Sequence, residues 1–341
     1  MASIITIKDV AAKGGVSVMT VSKVMNDASD ISEGTKIRIQ SLAKEMGYRT
    51  NPIARGLRLK STRMIGLVVP SINEEHISEV VSGVEDQLLE KNYSLLMAQS
   101  RGRVDREINV LKRMLDQRVD GLIVCPATRL TNYYEMFETI QGYNTPLVLI
   151  DRYPPVAPLL QVPLVVSDDR MGGMIATQHL LDQGHQRILF IAGPTGASSA
   201  EERFEGYRKA MTAAGCGNVD EFVFAAGFDI ASGRTAALQA LQEGVNFTAV
   251  FAVNDLVAIG VAEVLLKQGL RIPEDVSIVG YGDLKVGEVF KVPLTTVHQP
   301  KIELGQAAVK ILCELIETKK SEMRRLPVQL IIRESTAPKG K

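Results

Sequence analysis

The rhythm of hydrophobic and polar positions changes near residue 64. From there onward, short apolar runs alternate with amphipathic stretches. The runs fall at 65–69, 94–97, 122–125, 147–150, 187–191, 249–252 and 277–281. Segments whose apolar residues recur every three or four positions separate them, for example 77–91 and 175–183. Runs of four or five apolar residues predict strands buried on both faces, and the spacers predict helices. Strict alternation of the two predicts parallel sheets with helices on both faces. The stretch 63–341 exceeds one comfortable core, so two lobes are expected. A ligand is expected in the cleft between them, at the carboxyl ends of the strands.

Before residue 64 the pattern is helical throughout. Thr6-Ile7-Lys8-Asp9 offers a hydroxyl N-cap with an acid three residues on. Ile7, Val10 and Ala11 then give one short apolar face. Gly14-Gly15 stops that helix, because glycine accepts the left-handed turn conformation. Val18, Thr20, Val21 and Val24 next crowd a segment with β-branched residues, which favour strands. Ser17 is nevertheless placed as an N-cap, and the apolar positions do not alternate. Read as a helix, the segment turns Val21 and Val24 inward and leaves Val18, Met19, Ser22 and Lys23 on the opposite face. Ser32 caps a third helix ending at Gly47, with Ile37, Leu42, Ala43 and Met46 as its expected buried side. Two short helices joined by a glycine turn and braced by a third form the helix-turn-helix plan, whose second helix enters the DNA major groove. The alternative is a plain three-helix bundle.

Charge favours the first reading. The chain is neutral overall, yet residues 1–63 carry 11 basic against 5 acidic side chains, a net +6, which leaves −6 on the remainder. A basic head on an acidic body fits a polyanionic partner. Three widely spaced cysteines, Cys125, Cys216 and Cys313, have no metal-ligand spacing and read as reduced thiols. No apolar run is long enough to span a membrane, and Lys8 and Asp9 interrupt any signal-peptide core. A cytoplasmic protein without membrane attachment is expected.

The segments TIKDVAAKGGVSVMTVSKVMN, GYRTNPIARGLR and KSTRMIGLVVPSI are similar to the lactose-repressor (LacI-type) family of bacterial transcription regulators. The family pattern V-S-x-x-T-V-S-[RK]-V-[LM]-N is matched from Val16 to Asn26, and the resemblance continues to about Arg333. It implies a helix-turn-helix domain at 1–48, a hinge helix and linker at 49–62, and an effector-binding and dimerisation body at 63–341. That body resembles periplasmic sugar-binding proteins: two doubly wound parallel sheets, with a hinge crossed by three chain segments. One lobe would take about 63–163 and 293–325, the other 164–292 and 326–341 with a terminal strand at 328–333. No heptad tail follows, so a homodimer is expected.

By the resemblance, Val18, Met19 and Lys23 read bases of a palindromic double-stranded operator. Lys23 stands where arginine is commoner, which exchanges a bidentate guanine contact for a point charge. Thr6, Ser17, Thr20, Ser22, Asn26 and Thr35 fall at positions that contact phosphates or cap helices toward them. Asn51 and Arg55 belong to the hinge helix, with Arg55 along the phosphates. That helix is too short to be stable alone, and Gly56 weakens it further. Leu57 aligns with the leucine that wedges into the minor groove; the alternative is a linker residue.

For the effector, Arg203 aligns with the arginine that grips the ligand; the alternative is a surface salt bridge with Glu202 or Glu205. Asn254, Asp255, Asp151 and Ser199 match pocket positions, and Gln299 lies near the crossover strands. Phe228 aligns with an aromatic that stacks on the ligand, or is a core residue. Two departures bear on specificity. Gly282 stands where an effector-bonding aspartate is usual, followed by Asp283, whose direction the sequence leaves open. Asn73, Glu74, Glu75 and His76 follow the first strand, where apolar or aromatic residues are common. Glu74 and Glu75 either face the ligand or simply begin a helix, where acids are favourable. A sugar is the expected effector; a purine or nucleoside, or a protein co-regulator, is the alternative.

Gly193–Gly196 lacks the Lys-Ser/Thr of a P-loop, and Gly280-Tyr281-Gly282 lacks the dinucleotide spacing. No histidine is spaced as a nucleophile's base or a metal ligand. The chain therefore reads as a DNA-binding repressor controlled allosterically by a small molecule, with no cofactor, no metal and no catalysis. A stand-alone transport protein would need a secretion signal in place of the basic head.

Overall fold

The structure is a computed structural model that describes residues 5–48, 61–127, 133–154, 157, 161–318 and 323–340. Two compact units divide the chain, Met1–Arg63 and Met64–Lys341.

The first unit holds three helices, α1 (Ile7–Gly14), α2 (Val18–Met25) and α3 (Glu33–Glu45). Thr6 and Asp9 form a reciprocal capping box at the start of α1, and Gly15 ends it in the left-handed conformation at φ 63°. A side chain at Gly14 would meet Ile39 Cδ1 at 2.8 Å, so α3 presses directly on the turn. The core is Val10, Ala11, Val21, Val24, Ile39 and Ala43. The third helix departs from the expected pattern: Ile37 is 58% exposed, whereas Ile39 is fully buried. Ile39 and Ala43 lie four apart on one face; Ile37, two residues from Ile39, is turned about 200° away.

The second unit contains two parallel sheets. The first has the order β11-β5-β4-β3-β1-β2 and the second β7-β6-β8-β9. In the first, β1 (Met64–Val69) lies between β2 (Ser94–Gln99) and β3 (Gly121–Val124), followed by β4 (Leu147–Ile150), β5 (Leu164–Ser167) and β11 (Arg324–Leu326). Helices α4 (Glu75–Glu90) and α12 (Lys301–Thr318) bury Ile65, Leu67 and Val69 on one face. Helices α5 (Val104–Asp116) and α6 (Tyr133–Gly142) cover Val68, Leu122 and Val124 on the other.

In the second sheet, β6 (Ile188–Ala192) pairs with β7 (Val223–Ala225) and β8 (Ala249–Ala252), and β8 pairs with β9 (Ser277–Val279). Here α7 (Asp169–Asp182) and α8 (Ser198–Ala213) cover Ile188, Phe190 and Phe251. Helices α9 (Ile230–Gln242) and α10 (Asp255–Lys267) cover Leu189, Ile191 and Val250. A short helix, α11 (Lys285–Glu288), precedes β10 (Thr296–His298), which pairs antiparallel with β12 (Gln329–Ile331).

Three segments pass between the lobes: after β5, between β10 and α12, and between β11 and β12. The strand pairings move two expected boundaries. Leu164 and Val165 pair with Leu149 and Ile150, so the first crossing follows Ser167 rather than preceding 164. Thr295 still bridges Val279 of the second sheet, so the return crossing comes near Gln299 rather than at 293.

The helix pair α7 and α8 approaches through glycine. A Cβ on Gly173 would lie 2.2 Å from the Arg203 carbonyl oxygen, and one on Gly206 would lie 2.2 Å from that of Arg170. The two backbones are therefore in direct contact where α8 carries Arg203. Among the described residues, no helix is long and apolar enough to cross a membrane.

Candidate DNA-reading helix and effector cleft

In α2, Ser17 Oγ accepts from Thr20 N at 3.0 Å and lies 2.9 Å from Thr20 Oγ1. The cap fixes which face of the helix turns outward. Val21 and Val24 are fully buried, while Val18 is 42% and Met19 70% exposed. An exposed methionine on a short capped helix has no core to fill, which leaves it free for apolar contact with base edges. Ser22 is half-buried on that same surface. Lys23 pairs with Asp30, and Lys36 with Asp27. Asn26 donates from Nδ2 to the Ser22 carbonyl, closing the helix end. Thr6 Oγ1 donates to Asp9 at 2.7 Å, and Thr35 Oγ1 lies 2.9 Å from Ser32 Oγ. Asn51, Arg55 and Leu57 lie outside the described residues.

In the second unit a cleft of about 1130 Å³ opens between the two sheets. Its first wall lies at the carboxyl ends of the strands: Ser71–His76, from the turn after β1 into the start of α4, Gln99, Arg101 and Gly102 at the end of β2, and Asp151 and Arg152 after β4. The facing wall carries Ser199, Arg203, Phe228, Asn254 and Tyr281. Of the expected effector residues, Asn73, His76, Asp151, Ser199, Arg203, Phe228, Asn254 and Gln299 border this cleft.

On the first wall, His76 Nε2 lies 2.5 Å from Asp151 Oδ1, and Arg152 Nε donates to Asp151 Oδ2 at 3.2 Å. Burial alone would raise the Asp151 carboxyl, but His76 and Arg152 outweigh it and hold it well below the usual carboxylate range. Glu74 stands at the N-cap of α4 and Glu75 in its first turn, so both begin the helix and also border the cleft. Gln299 Nε2 donates to Ser167 Oγ at 2.7 Å, tying two of the crossing segments together.

On the second wall, Arg203 is buried. Its Nε donates to Asp169 Oδ1 at 2.9 Å and its Nη1 to the Val253 carbonyl at 2.7 Å. The expected alternative of a surface pair with Glu202 or Glu205 does not occur, because α8 turns Arg203 inward toward α7. Burial works against the guanidinium charge, and Asp169 more than offsets it, so Arg203 stays protonated. Asn254 Oδ1 accepts from Val257 N at 2.8 Å and its Nδ2 donates to the Phe228 carbonyl at 2.9 Å. One amide thus caps α10 and fixes the turn that carries the Phe228 ring.

Asp255 and Asp283 do not border the cleft, contrary to expectation. Asp255 is fully buried and accepts from Thr296 Oγ1 at 2.6 Å and Leu284 N at 2.7 Å. It braces the β9–α11 turn from behind, and burial pushes its carboxyl up to about 6. Asp283, at φ 49° beside Gly282 at φ 114°, turns its carboxylate away to Arg333 Nη2 at 2.6 Å and His298 Nδ1 at 2.9 Å. Gln99, Arg101, Arg152, Asp229 and Tyr281 border the cleft without having been singled out from the sequence. The signal that finds most of them is position: each of the first three stands at or just beyond the end of a strand.

Residues 6–51 match the family described as bacterial regulatory proteins, lacI family, and residues 177–336 match a periplasmic binding protein-like domain. The chain is 35% identical over 331 residues to the ribose operon repressor of Escherichia coli (strain K12), covering 96% of this chain and 98% of that one. The chain belongs to the LacI family. This LacI-family chain is also 33% identical over 324 residues to the HTH-type transcriptional repressor PurR of Vibrio campbellii (strain ATCC BAA-1116), covering 95% and 96%. Its fold matches the lac repressor dimer bound to operator and the anti-inducer ONPF with TM-score 0.87 at 28% identity, covering 98% and 100%. A LacI-family regulator from Enterococcus faecium with bound ribose matches with TM-score 0.70 at 30% identity, covering 81% and 99%.

Proposed function

We propose that the chain is a homodimeric transcriptional repressor. Its α2 and hinge residues bind a palindromic operator, and a sugar held in the cleft controls that binding. The observation that carries the reading is the cleft itself. Two polar walls, one built on Asp151 with His76 and Arg152, the other on Arg203 with Asp169, face each other, and two aromatic residues, Phe228 and Tyr281, line the cleft with them. Fixed carboxylates, guanidinium groups and amides beside two aromatic rings suit a small molecule dense in hydroxyl groups. The ribose operon repressor among the relatives and the ribose-bound regulator among the matching structures support a pentose or similar sugar.

The protein acts by binding rather than catalysis. His76, Asp151 and Cys125 lie together, but Cys125 Sγ faces the aspartate at 3.6 Å rather than the imidazole. Burial pushes that thiol well above its ordinary range, which removes the thiolate a nucleophile requires.

The test uses the full chain. Operator sites are selected from a random DNA pool, and release is then titrated with D-ribose, other pentoses and hexoses, and hypoxanthine. Release by a sugar and not by the purine is expected. Release by hypoxanthine alone replaces the sugar with the purine reading. Absence of any salt-sensitive palindrome preference overturns DNA control altogether.

A further inference from the structure

Glu202 does not border the cleft, yet its side chain is buried and, among the described residues, its carboxylate takes its hydrogen bonds from the opposite lobe. Tyr153 Oη donates to Oε1 at 2.8 Å. Arg325 closes a two-point fork on the same group, Nη2 to Oε1 at 2.6 Å and Nη1 to Oε2 at 2.7 Å. Glu202 lies on α8 of the second lobe. Tyr153 follows β4, and Arg325 is on β11, the outermost strand of the first sheet. Tyr153 N also donates to Ser198 Oγ at 3.2 Å, at the start of α8.

The neighbours of these residues give the contact its meaning. Tyr153 directly follows Asp151 and Arg152, which form the first wall of the cleft. Glu202 directly precedes Arg203 and lies one helical turn beyond Ser199, both on the second wall. Through Tyr153 the link joins the two walls by one or two residues of backbone on each side, and Arg325 ties Glu202 to β11 of the first sheet. The lobes also meet elsewhere, where Lys285 N donates to Glu75 Oε1 at 3.0 Å and Lys301 Nζ spans Glu79 Oε1 at 3.1 Å and the Asp283 carbonyl at 3.3 Å. Glu75, unlike Glu202, borders the cleft and so can touch a ligand itself.

We propose that Glu202, held by Arg325 and Tyr153, is a positioning residue that fixes the gap between the Asp151–Arg152 wall and the Ser199–Arg203 wall, and thereby tunes effector affinity without touching the effector. The proposal rests on the cleft being the effector site. A forked guanidinium–carboxylate pair holds direction as well as distance. Because half-buried charges also lose hydration, the pair adds more to geometry than to stability.

The experiment compares full-length wild type, Glu202→Gln, Arg325→Gln and the charge-reversed double variant Glu202→Arg with Arg325→Glu. Ligand-free small-angle X-ray scattering reads the spread of the lobes, thermal denaturation reads stability, and titration with D-ribose reads affinity. The single variants are expected to scatter as a more open body with D-ribose binding weakened about tenfold. Glu202→Gln, which leaves only the partly exposed Arg325 unpaired, keeps a Tm near wild type. Arg325→Gln, which leaves the buried Glu202 carboxylate without its ion-pair partner, melts lower. The double variant is expected to move both readouts back toward wild type, which a merely structural role would not do. Should Glu202→Gln fail to fold, Arg325→Lys carries the same test, since it keeps a positive charge beside the buried Glu202 and removes the two-point fork. Folded single variants whose scattering superimposes on wild type overturn the proposal. Failure of wild type to bind D-ribose overturns the sugar reading alone and leaves the scattering comparison to decide the link.

Discussion

Arg203 lays its guanidinium 3.8 Å above the centre of the Tyr281 ring while Asp169 holds its edge. All three groups are buried. Arg203→Ala leaves the Asp169 carboxylate without its counter-charge and is expected to cost about 3–5 kcal/mol of stability. Arg203→Lys keeps a charge but loses the fork that reaches both Asp169 and Val253, so effector response is expected to fall further than stability does. Thermal denaturation and effector-dependent operator release measure the two effects.

Met19 and Val21 sit two residues apart on α2 with opposite fates, one 70% exposed and the other fully buried. Met19→Ala is expected to leave stability within about 0.5 kcal/mol while weakening or re-specifying operator binding. Val21→Ala is expected to loosen the three-helix core and reduce binding to all DNA sequences alike. Circular dichroism melts and binding to a selected operator against scrambled DNA distinguish the two outcomes.

Glu107 in the first turn of α5 is fully buried, with Oε2 accepting from Ala127 N at 2.9 Å and Oε1 unpartnered among the described residues. Burial raises its carboxyl from 4.5 to about 7. The folded state thus holds a proton that the unfolded chain has already released. Its contribution to stability is complete below 4.5 and declines by about 1.4 kcal/mol per pH unit until 7 is passed. Glu107→Gln is expected to remove that slope. Denaturant titrations of wild type and variant between pH 5 and 8, taken as a difference, check the sign; parallel curves would refute the assignment.

The contact between Gly206 and the Arg170 carbonyl admits no added atom at 2.2 Å. Gly206→Ala is expected to separate α7 from α8 and shift Arg203 off Tyr281. Destabilisation of about 1–3 kcal/mol should therefore come with impaired effector response. Gly215, with open space around it but φ at 69°, gives a contrasting variant: Gly215→Ala strains the turn locally and leaves effector response intact.

Most of this architecture is legible in the residues, and the failures are local. The capped valine helix can be read because Gly14-Gly15 and Ser17 bound it on a scale of a few residues. Ile37 misleads because an isoleucine two positions from the true buried face looks equally apolar in the sequence. The strands Val223–Ala225 and Thr296–His298 are three residues long, too short for any period to register. Leu164–Ser167 reads as part of the second lobe because sequence order does not say which strand a segment pairs with, and its pairing with β4 places it in the first. Asp255 matches a pocket position by the family resemblance, and Asp283 follows one with its direction left open by the sequence. Side-chain direction there depends on two consecutive left-handed residues, Gly282 and Asp283, and on partners more than a dozen positions away. Arg152 and Arg101 show the converse: their place at the cleft follows from where strands end, a geometric rule rather than a motif.

The glycine contact between α7 and α8 has a consequence for how this protein can diverge. The wall bearing Arg203 is keyed backbone to backbone, so mutations that reshape it would disturb a helix pair as well as a ligand contact. The opposite wall carries Asn73, Glu74 and Arg101 at strand-end turns and a helix start, where no helix backbone is pressed against another. New ligand preferences in descendants of this chain should accordingly be written on that wall, while Arg203 and its glycine seat are inherited unchanged.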